Sequence, residues 1–168
     1  MAELLDAVPN GSDVLIDANV FVYGLTAKSA QCWTLLERCS REEVTGITLF
    51  EVLHEATHQF MKGEALQKGL CARQVAKYLS EHPEQVKLLT AYWANTQRLL
   101  ALNLLFLPME ENIVTVAQTE RVNAGMLTND SIIIAAMREY GISRIATNDR
   151  QFEAVAGISV FSPTDVVV

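Results

Sequence analysis

Short apolar runs alternate along the chain with longer segments in which apolar residues recur every three or four positions. The first run follows a Pro-Asn-Gly-Ser turn and ends at an aspartate, which is typical of a buried strand. The predicted strands are residues 13–17, 44–47, 104–108, 142–147 and 158–161. The longer segments have the spacing of amphipathic helices. The predicted helices are residues 21–39, 48–62, 65–102, 113–124 and 132–140.

The alternation of strands and helices predicts an α/β fold, because helices that join parallel strands cover both faces of a central sheet. We expect a parallel sheet of about five strands in a single domain that spans residues 1–168. A helical extension is expected at about 63–102, with a joint at His82-Pro83, since proline is tolerated in the first turn of a helix. The functional crevice of such a sheet lies beyond the carboxyl ends of its strands.

Composition narrows the class of protein. Half of the 168 residues are hydrophobic, so the chain can bury a core and extensive disorder is excluded. Three cysteines without CxxC spacing indicate neither a disulfide framework nor a cysteine metal site. Acidic residues occupy the N-terminal region where a signal peptide is apolar, and no apolar run is long enough to span a membrane. We therefore expect a cytoplasmic protein that does not contact membranes.

The charge distribution gives two readings. Thirteen Lys and Arg against 20 Asp and Glu leave a net charge of −7, which argues against an obvious nucleic-acid binder. Residues 60–98, however, carry six basic and three acidic residues. The basic residues of this segment either lie on the solvent-exposed face of long helices or form a basic lobe that guides RNA. In the second case Lys68, Arg73 and Lys77 are possible RNA contacts.

Four carboxylates lie where the strand-end rule points. Asp17 ends the first predicted strand, Asp149 follows the fourth, and Glu51 lies in the first turn of the helix after the second. Asp130 begins the helix that precedes the fourth strand. Four anions close together favour a counter-ion, and oxygen ligands suit Mg²⁺ or Mn²⁺ rather than zinc. The set predicts a metal site able to activate water against a phosphodiester.

Each acid also has a purely structural interpretation, with one exception. Thr48 and Glu51 have the spacing of a capping box, so Glu51 could reach back to its own helix N-terminus. Asp130 could interact with a helix dipole, and Asp149 could cap the next helix. Asp17 has no comparable explanation from the sequence. The prediction therefore depends on the set of four rather than on any single residue.

Four segments, taken in order, carry a family resemblance. LIDANVFVY, TLFEVLHE, LTNDSIIIAA and IATNDRQF resemble the motifs of PIN-domain ribonucleases, in particular the VapC-like toxins of type II toxin–antitoxin systems. The resemblance covers residues 13–161. It implies a three-layer PIN-like fold and Mg²⁺- or Mn²⁺-dependent cleavage of single-stranded RNA. An antitoxin partner and a homodimer are further expectations.

The resemblance also assigns residues. Asp17, Glu51, Asp130 and Asp149 match the family's catalytic, metal-binding acids. Asn19 and Thr147 match its supporting polar residues. The extension at about 63–102 is longer than in compact toxins, so recognition of partner and substrate can differ.

Two rival functions remain open at this point. His54, Glu55 and His58 spell HExxH, the helical signature of zinc metallopeptidases, in which two histidines bind the metal and the glutamate is the base. This interpretation needs a third ligand and leaves three of the acids unexplained. The other rival is a non-catalytic PIN-like binding module. A nuclease assay with and without Mn²⁺ separates the latter from an enzyme.

Overall fold

The computed structural model describes residues 1–167, and within them six strands form one parallel sheet. The strands are β1 (Glu3–Leu4), β2 (Asp13–Ile16), β3 (Thr45–Leu49), β4 (Leu105–Leu107), β5 (Arg144–Ala146) and β6 (Ser159–Ser162). Their order across the sheet is β1-β6-β5-β2-β3-β4.

Helices connect and cover these strands. They are α1 (Ala18–Leu25), α2 (Ala30–Ser40), α3 (Phe50–Gln67), α4 (Val75–Glu81), α5 (Pro83–Val86), α6 (Ala91–Leu100), α7 (Glu111–Ala124) and α8 (Thr128–Glu139). Short 3-10 helices cover Leu5–Ala7 and Arg150–Ala154. Helix α1 packs against α2, α3 and α6, whereas α7 packs mainly against α8. In the described part of the chain, no helix is long and apolar enough to cross a bilayer.

Strand β2 is the centre of the sheet. Val14, Leu15 and Ile16 are fully buried, as expected for a strand with helices over both faces. Leu15 pairs with Ile145 of β5 on one side and with Ile47 of β3 on the other. This register brings the residues that follow β2 and β5 together at one edge of the sheet.

The predicted α/β fold with a parallel sheet is confirmed, and each of the five predicted strands is present. The sheet has a sixth strand that the pattern did not predict. Strand β1 has two residues, Glu3 and Leu4, which pair with Phe161 and Ser162 of β6. Two residues are too few to show an alternating pattern, so this strand is defined by its partner rather than by its own sequence.

The single helix predicted at 21–39 is wrong in its continuity. The structure divides it into α1 and α2 at residues 26–29, where Ala27 has a left-handed φ of 57°. The Ser29 hydroxyl accepts a hydrogen bond from the Cys32 amide at 3.0 Å and so begins α2. Serine at this position is a common N-cap.

The predicted helix start at Thr48 is also wrong. Thr48 belongs to β3, where it pairs with Phe106 of β4. Its hydroxyl donates to the Ile16 carbonyl at 3.1 Å instead of capping a helix. Helix α3 begins at Phe50, and its N-cap position makes no side-chain hydrogen bond. The capping-box interpretation of Glu51 therefore fails.

The predicted extension at about 63–102 is helical but divided. The end of α3 is followed by α4, α5 and α6, and a small second core forms around Ala65, Val75, Leu79 and Leu89. Glu64 joins these parts, since its carboxylate accepts hydrogen bonds at 2.9 Å from the amides of Thr90 and Tyr92. The carboxylate thereby caps the N-terminus of α6 from another helix.

Candidate active site

A cleft of about 260 Å³ opens where β2 and β5 end. It is lined by Asp17, Ala18, Asn19, Val22, Tyr23, Glu55, Gln59, Asp130 and Asp149. Four of these nine residues are carboxylates, and none is Lys or Arg. The structure therefore places three of the predicted acids, Asp17, Asp130 and Asp149, in the wall of one cleft.

Each of these three acids comes from a different segment. Asp17 immediately precedes α1, Asp130 lies in the first turn of α8, and Asp149 immediately precedes the 3-10 helix Arg150–Ala154. The parallel sheet brings Asp17 and Asp149 together, because strands β2 and β5 are neighbours and end at the same edge, and α8 adds Asp130 from its first turn.

Asp17 is nearly buried and both of its carboxylate oxygens accept hydrogen bonds. Oδ1 accepts from the Ala18 amide at 2.7 Å, and Oδ2 accepts from the Thr147 hydroxyl at 2.6 Å and the Asn19 side-chain amide at 2.5 Å. The contact with Ala18 makes Asp17 the N-cap of α1. The expectation that Asp17 has no capping role is therefore wrong; it caps a helix and also faces the cleft.

Thr147 and Asn19 link Asp17 to the loop that carries Asp149. The Thr147 hydroxyl, besides donating to Asp17, accepts from the Asp149 amide and from Asn19 Nδ2, both at 3.0 Å. The Asn19 side-chain oxygen accepts from the Asn148 amide at 2.9 Å. The loop after β5 is thus tied to the start of α1 through side chains rather than through the sheet alone.

The carboxylates raise one another's pKa. Burial is the main cause that raises the pKa of Asp17 to about 6; Glu55 and Asp130 add to it, while the hydrogen bonds from Thr147 and Ala18 oppose it. Burial also raises the pKa of Asp130, followed by repulsion from Asp149 and Glu55. Two acids in one cleft whose ionised forms are both disfavoured indicate an uncompensated negative charge.

Glu51 does not line the cleft, whereas Glu55 does. The two residues are four positions apart on α3 and so share a helix face, with Glu55 one turn further along. The sequence placed Glu55 in the HExxH pattern and not among the strand-end acids. The four-residue helical spacing from Glu51 was the signal in the sequence that could have identified Glu55 as a cleft residue.

His54 and His58 are exposed on α3 and do not line the cleft. Within residues 1–167, no three His, Cys, Asp or Glu side chains stand close enough to form a ready-made metal site. For the HExxH pattern this leaves two exposed histidines with no third ligand nearby. The structure therefore offers the zinc-peptidase interpretation no support.

The donor set of the cleft fits a hard divalent cation in its chemistry. All four acidic side chains offer carboxylate oxygens, and the cleft wall supplies no cationic side chain to balance them. One oxygen of Asp149 is engaged with the Gln151 amide at 2.8 Å. Like the HExxH residues, these carboxylates do not form a ready-made metal site in the described part of the chain.

The basic residues predicted as RNA contacts lie away from the cleft. Lys68 is held by Glu64 at 2.9 Å and by the Leu88 carbonyl at 2.8 Å. Lys77 lies 3.9 Å from Glu81, and Arg73 is exposed before α4. Their contact with RNA stays a prediction.

Comparisons with known proteins agree with this architecture. A sequence profile of the PIN domain matches residues 14–158. The VapBC2 complex of Rickettsia felis, solved bound to a DNA fragment from its promoter, has a chain with a TM-score of 0.58 and 13% identity, covering 89% of this chain and 98% of that one. PAE2754 from Pyrobaculum aerophilum gives a TM-score of 0.56 and 15% identity, with 89% of both chains covered. At these identities the likeness concerns the fold. No sequence among curated proteins matches significantly.

Proposed function

Because the chain belongs to the PIN-domain family, we propose that it is a metal-dependent endoribonuclease that cuts single-stranded RNA. In this proposal it acts in the cytoplasm as the toxin of a toxin–antitoxin pair. The observation that carries the proposal is the cleft with four carboxylates and no basic side chain in its wall. Asp17 is buried in this cleft with no Lys or Arg in the wall, and a carboxylate buried for structural reasons alone would be paired, since an unpaired buried anion is costly.

The carboxylates Asp17, Glu55, Asp130 and Asp149 would hold one or two Mg²⁺ or Mn²⁺ ions. Glu51, one helical turn before Glu55, is the remaining candidate ligand. When bound, such an ion activates water and neutralises charge that develops on a phosphodiester.

Two polar side chains, Thr147 and Asn19, hold the carboxylates in position. Thr147 and Asn19 fix the rotamer of Asp17, and the Thr147 hydroxyl also orients the Asp149 backbone. With water as the nucleophile and the 3′ oxygen as the leaving group, we expect 5′-phosphate and 3′-hydroxyl ends. Attack by the neighbouring 2′-hydroxyl would instead leave a cyclic phosphate.

An antitoxin partner is supported by the cleft's charge together with the fold it shares with a VapBC2 chain. A protein that inserts an Arg into the cleft would form the charge-assisted hydrogen bonds that the carboxylates lack among themselves. A homodimer is part of the same proposal and is tested by light scattering of the purified protein.

The direct test is cleavage of an end-labelled, unstructured RNA by the purified protein with Mg²⁺, Mn²⁺ or EDTA. We expect cleavage that needs the divalent ion and is lost in Asp17→Asn and Asp149→Asn. Glu139→Gln is the matched control, because it removes an exposed carboxylate from α8, the same helix that carries Asp130.

Two further measurements, of the product ends and of metal binding, test the proposed chemistry. Mn²⁺ should raise the melting temperature of the wild-type protein but not that of Asp17→Asn. Metal-independent cleavage, or cyclic-phosphate products, would contradict the proposed chemistry. Metal binding without any RNA cleavage would favour the non-catalytic binding module.

A further inference from the structure

A second groove, of about 580 Å³, lies between α1, α3 and α6 next to the acidic cleft. Val22, Tyr23 and Gln59 line both spaces, so the groove continues from the cleft along α1 and α3. Its volume falls within the range of about 300–1,000 Å³ that is usual for ligand pockets. A polymer whose backbone enters the cleft can therefore extend directly into this groove.

The groove carries positive charge that the cleft lacks. Lys28 and Lys62 both line it, and neither forms an ion pair with any residue in 1–167. Lys62 Nζ donates to Gln59 Oε1 at 3.2 Å, a neutral partner three residues away on α3. The one carboxylate in the groove wall, Glu64, is already bound to Lys68 and to the amides of α6.

The groove also presents aromatic and amide side chains. Tyr23 and Tyr92 are half-buried in its wall, and Gln59 and Asn95 line it as well. Aromatic faces beside lysines are the usual platform for single-stranded nucleic acids, since bases stack on the rings while phosphates meet the cations. The groove is walled by helices and presents no strand edge with which an extended peptide could pair.

We propose that this groove binds the stretch of single-stranded RNA adjacent to the cut, with a base stacked on Tyr23 and the backbone phosphates at Lys62 and Lys28. The inference rests on the proposed function, because it takes the acidic cleft as the place where the phosphodiester is hydrolysed. It differs from the sequence-based prediction, which put the RNA on Lys68, Arg73 and Lys77. Of those, Lys68 is bound to the buried Glu64 at 2.9 Å, and Lys77 lies 3.9 Å from the exposed Glu81.

The test measures binding separately from cleavage. The probe is a fluorescein-labelled eight-nucleotide oligouridine, and its dissociation constant is measured by anisotropy with Mg²⁺ in an Asp17→Asn background. We expect Lys62→Met to raise the dissociation constant several-fold and to reduce the slope of log affinity against log salt by about 0.7. Lys87→Met, an exposed lysine on the C-terminal side of α5, is the matched control and should change neither quantity.

Tyr23 is tested by a pair of variants. Tyr23→Leu should raise the dissociation constant about five-fold or more, because it removes the stacking face, whereas Tyr23→Phe keeps the face and should bind like the parent. Equal melting temperatures for the two variants show that a loss of affinity is not a loss of folding.

The two proposals fail in distinguishable ways. If the groove variants bind RNA as Lys87→Met does while the wild-type protein cleaves RNA, the groove assignment is overturned and a protein partner becomes its better occupant. If the wild-type protein does not cleave RNA but the groove variants still weaken binding, the groove assignment stands and the proposed hydrolysis falls.

Discussion

Replacing Asp17 with Asn tests whether burial in the cleft disfavours the ionised form of the Asp17 carboxylate. In the metal-free protein, burial raises the pKa of Asp17 from 3.8 to about 6, with repulsion from Glu55 and Asp130 adding to it. A displacement of about two pH units corresponds to about 3 kcal/mol of folding free energy that the ionised side chain forfeits at pH 7. Because the pKa is higher in the folded than in the unfolded chain, this penalty is absent below pH 3.8, grows up to about pH 6 and is constant above.

The substitution also removes a hydrogen bond. The new side-chain oxygen can still accept from the Ala18 amide, but the new NH₂ group would meet two donors, the Thr147 hydroxyl and Asn19 Nδ2. Losing these two contacts costs about 1–2 kcal/mol. The net expectation is that Asp17→Asn stabilises the metal-free protein by about 1–2 kcal/mol at pH 7 and slightly destabilises it near pH 4.

The assay is urea unfolding in EDTA at pH 4, 5, 6 and 7. Asp13→Asn is the control, because it removes an exposed carboxylate from the opposite end of the same strand. The reasoning is refuted if the stability difference between Asp17→Asn and wild type is the same at every pH, or if the variant is less stable at pH 7 than at pH 4 relative to wild type.

Three other substitutions test separate parts of the structure. Glu64→Gln should lower the free energy of unfolding by about 1–3 kcal/mol at pH 7, because the amides that cap α6 lose a charged acceptor. Burial by itself would raise the pKa of Glu64, but hydrogen bonds from Lys68 and the α6 amides outweigh it and lower the pKa to about 2. The contribution is therefore complete above pH 4.5 and fades as the pH falls towards 2, so urea curves of variant and wild type should converge in acid. Thr147→Val keeps the side-chain volume but removes the hydroxyl that Asp17 and Asp149 share; cleavage should fall at least about ten-fold with an unchanged circular dichroism spectrum, and unchanged cleavage would remove Thr147 from the site. Gly125→Ala should cost about 1 kcal/mol, because Gly125 ends α7 at a φ of 68°; an unchanged melting temperature would contradict this.

The sequence was sufficient for features that depend on local pattern. The apolar runs identified five strands, and two of the predicted helices are followed by a glycine, Gly125 or Gly141, with a left-handed φ of 68° or 67°. The meeting of Asp17 and Asp149 was expected because both follow parallel strands, which end at a common edge of the sheet, whereas Asp130 reaches the cleft from the first turn of α8.

Features that depend on tertiary contacts were missed. Thr48 has good capping chemistry, but pairing with β4 and a bond to the Ile16 carbonyl draw it into the sheet. Helix α3 therefore starts at Phe50 rather than Thr48, and Glu55 rather than Glu51 lines the cleft. The capping role of Asp17 was missed because a residue that ends one element was not considered as the beginning of the next.

The contacts of Thr147 link Asp17 in the cleft to β6, the last strand along the chain. Its hydroxyl holds Asp17 from 130 residues away, while its own backbone amide donates to the Phe161 carbonyl and its carbonyl accepts from the Ser162 hydroxyl. The orientation of an aspartate near the beginning of the chain therefore depends on a residue that is itself held by β6, the last strand along the chain. A chain that ends before residue 159 would keep all four cleft acids but lose the two contacts through which β6 holds Thr147.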